Sequence, residues 1–236
     1  MLKLHFAPSS RAERVLWLLE ELELAYELNS MPFHPKALKS DIHRKKHPLG
    51  RIPVLEDGEI CIYESGAIID YILERHKNGG LKPRVDSPEY PYYLQWFHFC
   101  EGMIAQPMNT IVVHTIILPP ERRDETVLGQ AKRLASKSLD AIETALEGKE
   151  YLVGNRFTVT DLNICSVLTW AQYAPYPLLD KFENVKRYFN RCIERPTSLS
   201  SNSYPTKVAN SNESFPANIE TFNSKYAKIG YVAAKL

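Results

Sequence analysis

The chain is poor in the features that usually assign chemistry at sight. Its four cysteines, Cys61, Cys100, Cys165 and Cys192, include no CxxC pair. Their spacing suits neither a zinc site nor a disulfide framework, so no metal is expected. Each reads as a small apolar residue in or beside a core. No apolar run approaches the roughly 18 residues that a membrane-spanning helix needs. A phosphate-binding loop and a basic stripe are lacking as well. The formal net charge of +1 supplies no bulk field for nucleic acid or an anionic membrane. The opening stretch, MLKLHFAPSSR, reads as a strand and a turn and lacks the layout of a signal peptide. The expected compartment is the cytoplasm.

What is present is a change of character along the chain. The composition, 44% hydrophobic and 24% charged, is that of a globular protein. Its 236 residues suffice for one large domain or two modest ones. Leu2, Leu4 and Phe6 alternate with Lys3 and His5, which predicts a half-buried strand. Ala7-Pro8-Ser9-Ser10 breaks it. Val15, Leu16, Leu18, Leu19 and Leu22 then mark one side of a helix, with Arg14, Glu20, Glu21 and Glu23 largely on the other. Residues 25–29 suit a second strand, and the Lys-rich stretch 35–46 an irregular helix. Strands at 52–55 and 60–63 flank Asp57-Gly58, a hairpin signal. A helix follows to about Arg75. Beyond a Gly- and Pro-rich stretch at 78–88, helical periodicity runs over 89–114, 121–147, 159–173 and 180–194, and no strand pattern returns. The pattern predicts an α/β unit at 1–77, a linker at 78–88, an all-helical unit at 89–196 and an extension at 197–236, rich in Ser, Asn and Lys.

Some positions carry local meaning. Thr158 and Asp161 have the spacing of a capping box, and Phe157 and Leu162 that of a hydrophobic staple, so the apolar helix after them should be central. Ser65 is a natural N-cap for a helix beginning at Gly66. That helix N-terminus, with open amides and partial positive charge, would favour a carboxylate. Pro53 is unusual at the head of a strand, because proline lacks a backbone donor.

Four segments in this order, SSRAERVLWLLEEL, HPLGRIPVLEDG, YESGAIIDYI and FTVTDL, resemble the glutathione transferase superfamily. They spread over most of residues 1–195 and are most similar to serine-type cytosolic transferases of fungi and bacteria. The resemblance implies a thioredoxin-like α/β N-terminal domain and an all-α C-terminal domain. It implies glutathione as co-substrate with no further cofactor, a small hydrophobic electrophile as second substrate, and a homodimer. Pro53 would follow a cis bond from Ile52, and the Val54 N–H and C=O would pair with the cysteinyl backbone of glutathione, as in strand addition. Ser65 and Glu64 would take its γ-glutamyl end. Arg51 would face the glycine carboxylate through its planar fork, with Lys36, Lys39 and His47 in the bordering loop.

The resemblance puts the reaction centre in the turn after the first strand, where a hydroxyl would donate to the glutathione thiolate. Two serines compete. Serine-type relatives place theirs six residues before Val15, at Ser9. Relatives with an SRxxRVLWLLEEL pattern place it at Ser10, beside Arg11. Residues 1–25 hold no tyrosine for a tyrosine-type site and no cysteine for disulfide chemistry. Tyr92, Trp96, Phe99 and Met103, with Pro107, stud the first helix of the second unit. They are candidates for the second-substrate pocket, although such spacing also describes a core. Two other functions fit the same fold: glutathione-dependent peroxide reduction or isomerisation, and non-catalytic glutathione binding by a regulatory protein.

Overall fold

The computed structural model describes residues 1–76, 79–173 and 177–198. The extension beginning at 197 lies, from 199 onward, outside the described residues. The chain divides into two compact units, one of Met1–Lys82 with the stretch from Pro196, the other of Pro83–Arg195.

In the first unit the order is β1 (Leu2–Phe6), α1 (Ala12–Glu21), β2 (Tyr26–Ser30), α2 (Pro35–Leu38), α3 (Asp41–Arg44), β3 (Val54–Asp57), β4 (Ile60–Tyr63) and α4 (Ser65–Arg75). The sheet runs β2-β1-β3-β4, with β1 parallel to β2 and antiparallel to β3, and β3 antiparallel to β4. Leu2, Leu4 and Phe6 are buried on one face of β1. Val15, Leu16, Leu18 and Leu19 of α1 and Ile68, Ile69, Ile72 and Leu73 of α4 are buried with them, and α1 packs on both α4 and β1. The irregular helix expected at 35–46 is two single-turn helices. Leu81 and Lys82, read as linker, are buried in this unit. The Lys82 ammonium sits 2.6 Å from both Asp70 and Glu74 of α4.

The second unit holds α5 (Tyr90–Phe99), α6 (Gln106–Val112), α7 (Glu125–Ala145), α8 (Val159–Leu168) and α9 (Glu183–Ile193). Among the described residues no strand follows β4, and no helix is long and apolar enough to cross a membrane. The single helix expected over 89–114 is corrected by the structure. It widens into π-helix at Cys100–Ala105, returns as α6, and widens again at Val113–Ile117. Pro107, at the head of α6, accounts for the first widening: it has no N–H for the carbonyl of Met103 and its ring crowds that turn. The freed Met103 carbonyl accepts a bond of 3.0 Å from the Ser138 hydroxyl of α7.

α8 is buried on all sides except Ser166, as expected of the apolar helix that follows the capping box. Its N-terminus carries the capping box, and Asp161 is its hub. One carboxylate oxygen accepts from the Thr158 N–H (2.8 Å) and hydroxyl (2.9 Å), the other from the Leu152 N–H (3.2 Å) and the Tyr188 hydroxyl of α9 (3.0 Å). A similar long-range cap serves α9. Its N-cap, Phe182, has no polar side chain, so the Glu143 carboxylate of α7 accepts from the amides of Asn184 and Val185 at 2.9 Å each.

Asp161 is fully buried, and burial pushes its carboxyl up to about 6 while four donors oppose that shift. The unfolded chain titrates near 3.9. The native state therefore holds a proton between about pH 4 and pH 6 that the unfolded chain has released. The stability linked to it is complete below about pH 4 and is lost as pH rises through about 6, a change of about 3 kcal/mol. Asp161→Asn removes this titration and sets an amide donor against donors, costing about 2–4 kcal/mol. Urea unfolding should show a larger loss for the variant at pH 4 than at pH 7. A loss that grows with pH would contradict the assignment.

Candidate active site

Strand register alone gathers the site. His5 of β1 lies opposite Val54 of β3, which lies opposite Tyr63 of β4. The segment after β1, the segment before β3 and the segment after β4 therefore leave the sheet at the same end. A small apolar cluster fastens two of them, because Ala7 and Ile52 pack with Leu38, Met31 and Phe33.

In the first segment Ser9 adopts a left-handed backbone, with φ of 57°. Its N–H donates to the Glu13 carboxylate at 2.6 Å. Ser10 is buried, and its hydroxyl donates to the Ala7 carbonyl at 2.6 Å and accepts from the Ala12 N–H at 3.2 Å. The single hydroxyl proton of Ser10 is therefore committed to the turn. The Ser9 hydroxyl has no partner among the described residues.

The second segment runs through Gly50, Arg51, Ile52 and Pro53. The Ile52–Pro53 bond is cis. Gly50 has φ of 57°, and a Cβ there would lie 2.4 Å from the Leu38 carbonyl oxygen. His43 donates from Nε2 to the Arg51 carbonyl at 2.7 Å. Arg51 is exposed, and its guanidinium has no partner among the described residues. The expectation that Val54 offers a free backbone needs correction. Val54 is fully buried inside the sheet, flanked by β1 and β4. The main chain left without a partner among the described residues is that of Ile52, two positions earlier.

At the third segment Glu64 is exposed and left-handed, with φ of 74°. Ser65 is the first residue of α4 and Glu64 is its N-cap, a shift of one from the expected Ser65 cap. The Glu64 carbonyl already accepts from Ile68 at 2.9 Å, which closes the first turn one residue early. No side chain caps this end. The amides of Ser65, Gly66 and Ala67 stay open among the described residues, as do those at any uncapped helix start. Ser65 is largely buried, and its hydroxyl has no partner among the described residues.

His47 is buried, accepts at Nδ1 from the Leu49 N–H (3.2 Å) and packs its ring 4.5 Å from that of Tyr63. Burial holds its pKa below the ordinary histidine value, so the ring is neutral at neutral pH. Lys36 and Lys39 are exposed on and after α2. A polar chain that sequence reasoning missed lies beneath this loop. Asn29 meets His5 Nδ1 at 2.8 Å, His5 Nε2 meets Glu56, and Glu56 pairs with Lys46 at 2.7 Å. Lys46, and then His5, hold the Glu56 carboxyl below the usual range. Alternation at His5 showed only which face it takes. Its partners lie far along the chain.

In the second unit Trp96 is buried with its ring 4.9 Å from that of Phe99. Phe99 and Met103 line a groove of about 470 Å³ with Pro107, Leu134 and Ser138. Tyr92 is exposed and does not line that groove. Among the described residues no three His, Cys, Asp or Glu side chains converge as a metal site.

Comparison with known proteins names the family. Residues 1–74 match the glutathione S-transferase N-terminal domain, and residues 105–196 match the glutathione S-transferase C-terminal domain. Glutathione S-transferase PARB of Nicotiana tabacum is 31% identical over 172 residues, covering 69% of this chain and 78% of that one. The chain belongs to the glutathione S-transferase family. This transferase is also 29% identical to a probable glutathione S-transferase, GSTF1, of Oryza sativa subsp. japonica, over 81% of this chain and 90% of the relative. A solved glutathione S-transferase-I bound with lactoylglutathione superposes with a TM-score of 0.73 at 28% identity, covering 83% of this chain and 95% of that one. The four-stranded sheet with its helices is the thioredoxin-like domain of the family, and the helical unit is its C-terminal domain.

Gly50 sets the path into Arg51 and Ile52. Gly50→Ala should lower stability by about 2 kcal/mol, since φ and the Leu38 carbonyl both oppose a Cβ. It should also weaken glutathione binding in calorimetry. An unchanged melting temperature together with an unchanged Kd would show that this turn is not constrained.

Proposed function

We propose that this transferase adds the glutathione thiolate to small hydrophobic electrophiles and that the Ser9 hydroxyl stabilises the thiolate. The observation that carries the choice of serine is the allocation of hydroxyl protons: Ser10 gives its proton to Ala7, while Ser9 keeps its own. A thiol titrates near 8.5, and lowering that by about two units needs about 2.7 kcal/mol. A hydrogen bond to a charged acceptor contributes about 1.5–3 kcal/mol. The N-terminus of α1 adds about 0.3–1 kcal/mol. The two together are of the required size, with the serine acting as a donor and not as a base.

The rest of glutathione has matching chemistry within the first unit. The open start of α4 and the Ser65 hydroxyl suit the γ-glutamyl carboxylate, with Glu64 beside its ammonium. The unpaired main chain at Ile52 suits the cysteinyl backbone, as a short added strand. Arg51 suits the glycine carboxylate. A structure with bound glutathione tests each pairing. The resemblance further implies a homodimer in the cytoplasm. Sedimentation at the mass of one chain would contradict the dimer.

Purified protein should conjugate glutathione to a chloronitrobenzene probe faster than it reduces an organic hydroperoxide. The opposite order would favour the peroxidase reading, and binding without either turnover the regulatory one. Ser9→Ala should lower kcat/KM about 10- to 100-fold, the size of one lost charge-assisted bond. It should also move the midpoint of the pH–rate profile upward. Ser10→Ala should act mainly on stability. A Ser9→Ala variant with unchanged activity and pH profile would remove Ser9 from the mechanism.

A further inference from the structure

Ser9 is held in a backbone conformation that a residue with a Cβ rarely adopts, since φ of 57° crowds Cβ against the following backbone. Something must favour it over the ordinary alternatives. On the far side of the turn, Ser10 ties Ala7 to Ala12. Those bonds fix the start of α1 and do not engage the Ser9 N–H. The bond that acts on Ser9 itself is from its N–H to Glu13 Oε1, at 2.6 Å.

The spacing of this bond is unusual. Ser10 and Glu13 stand three apart, with the residue types of a capping box. In that motif the acidic side chain returns to the amide of the serine at its head, here Ser10. The carboxylate instead reaches one residue further back, to Ser9. A negative charge at this place is electrostatically unfavourable for a nearby thiolate. A carboxylate in the first turn of α1 is favoured by the helix dipole, but that alone does not require its bond to the Ser9 N–H. The carboxylate is explained if its geometric effect outweighs that penalty: it accepts the Ser9 N–H and so fixes the direction of the one unpartnered hydroxyl in the turn.

We propose that Glu13 is a positioning residue, acting through the Ser9 amide to hold the Ser9 hydroxyl on the glutathione sulfur. This inference rests on the reading of Ser9 as thiolate donor. It assigns Glu13 no contact with either substrate.

The test is a cycle of Ser9→Ala, Glu13→Ala, Glu13→Gln and the Ser9→Ala/Glu13→Ala double variant in the full chain, assayed with glutathione and the chloronitrobenzene probe. Glu13→Ala should lower kcat about ten-fold with little change in KM for glutathione, because the loss is in thiolate stabilisation and not in binding. Glu13→Gln keeps an acceptor oxygen and should recover most of that loss. The double variant should fall to the level of Ser9→Ala and no further, since Glu13 has nothing left to act through. A merely structural role would produce additive losses and no rescue by glutamine. Additive losses, or a Glu13→Ala variant with full kcat, overturn the inference while leaving Ser9 in place. Unchanged turnover in Ser9→Ala overturns the underlying reading instead, whatever Glu13 does.

Discussion

The side-by-side register of His5, Val54 and Tyr63 is the constraint on which the rest of the site depends. Strand pairing allows shifts only in whole residues, and a shift of one turns every side chain to the other face. With Leu4 and Leu55 buried together, the register cannot slip without exposing them. The same pairing then decides where three connecting segments leave the sheet. Two helix starts and one stretch of unpaired main chain come to a single end of a four-stranded sheet. Donors for anions, a strand-like backbone and a free hydroxyl meet at that end, and on these rests the proposal that an extended thiol peptide with a carboxylate at each end binds there.

The polar groups beneath this end serve to hold it. Asn29, His5, Glu56 and Lys46 link β2, β1, β3 and the loop after α3 through one buried side chain, His5, and three half-buried ones. Burial raises the cost of leaving any of them unpaired. His43 fixes the carbonyl of Arg51, and Gly50 allows the chain to pass close to Leu38. These residues position the main chain of Ile52. In the helical unit Asp161 has the corresponding part, since it joins the start of α8 to Leu152 and to Tyr188 of α9. Both units therefore place one buried polar hub at the point where loops must meet regular structure.

Much of this was legible from local pattern. Alternation at Leu2, Leu4 and Phe6, the stripe from Val15 to Leu22, the Asp57-Gly58 turn and the Thr158–Asp161 box each depend on residues within a few positions. Their outcome in the fold follows from backbone sterics and a single buried face. The breaks were less legible. Pro107 announces a lost hydrogen bond, but the helix continues by widening into a π-turn, and Ser138, on a different helix, donates to the Met103 carbonyl. At Ser65 the cap moved by one residue because the Glu64 carbonyl closes the first turn.

What the amino-acid sequence determined by itself is the main elements, their order, the division into an α/β and a helical unit, and the segments of the candidate site. Each of these is encoded in short-range periodicity, in turn residues and in the restricted backbone of proline and glycine. What only the tertiary structure decided is which polar groups remain available. Two adjacent serines have the same side chain. One becomes a turn lock because Ala7 and Ala12 lie within reach, and the other keeps its hydroxyl free. The open backbone likewise lies at Ile52 and not at Val54, because strands remote in sequence flank the latter. A hydrogen bond is allocated once, to whichever partner the fold brings close: Ser10 finds its partners inside its own turn, whereas Val54 is flanked by strands remote in sequence.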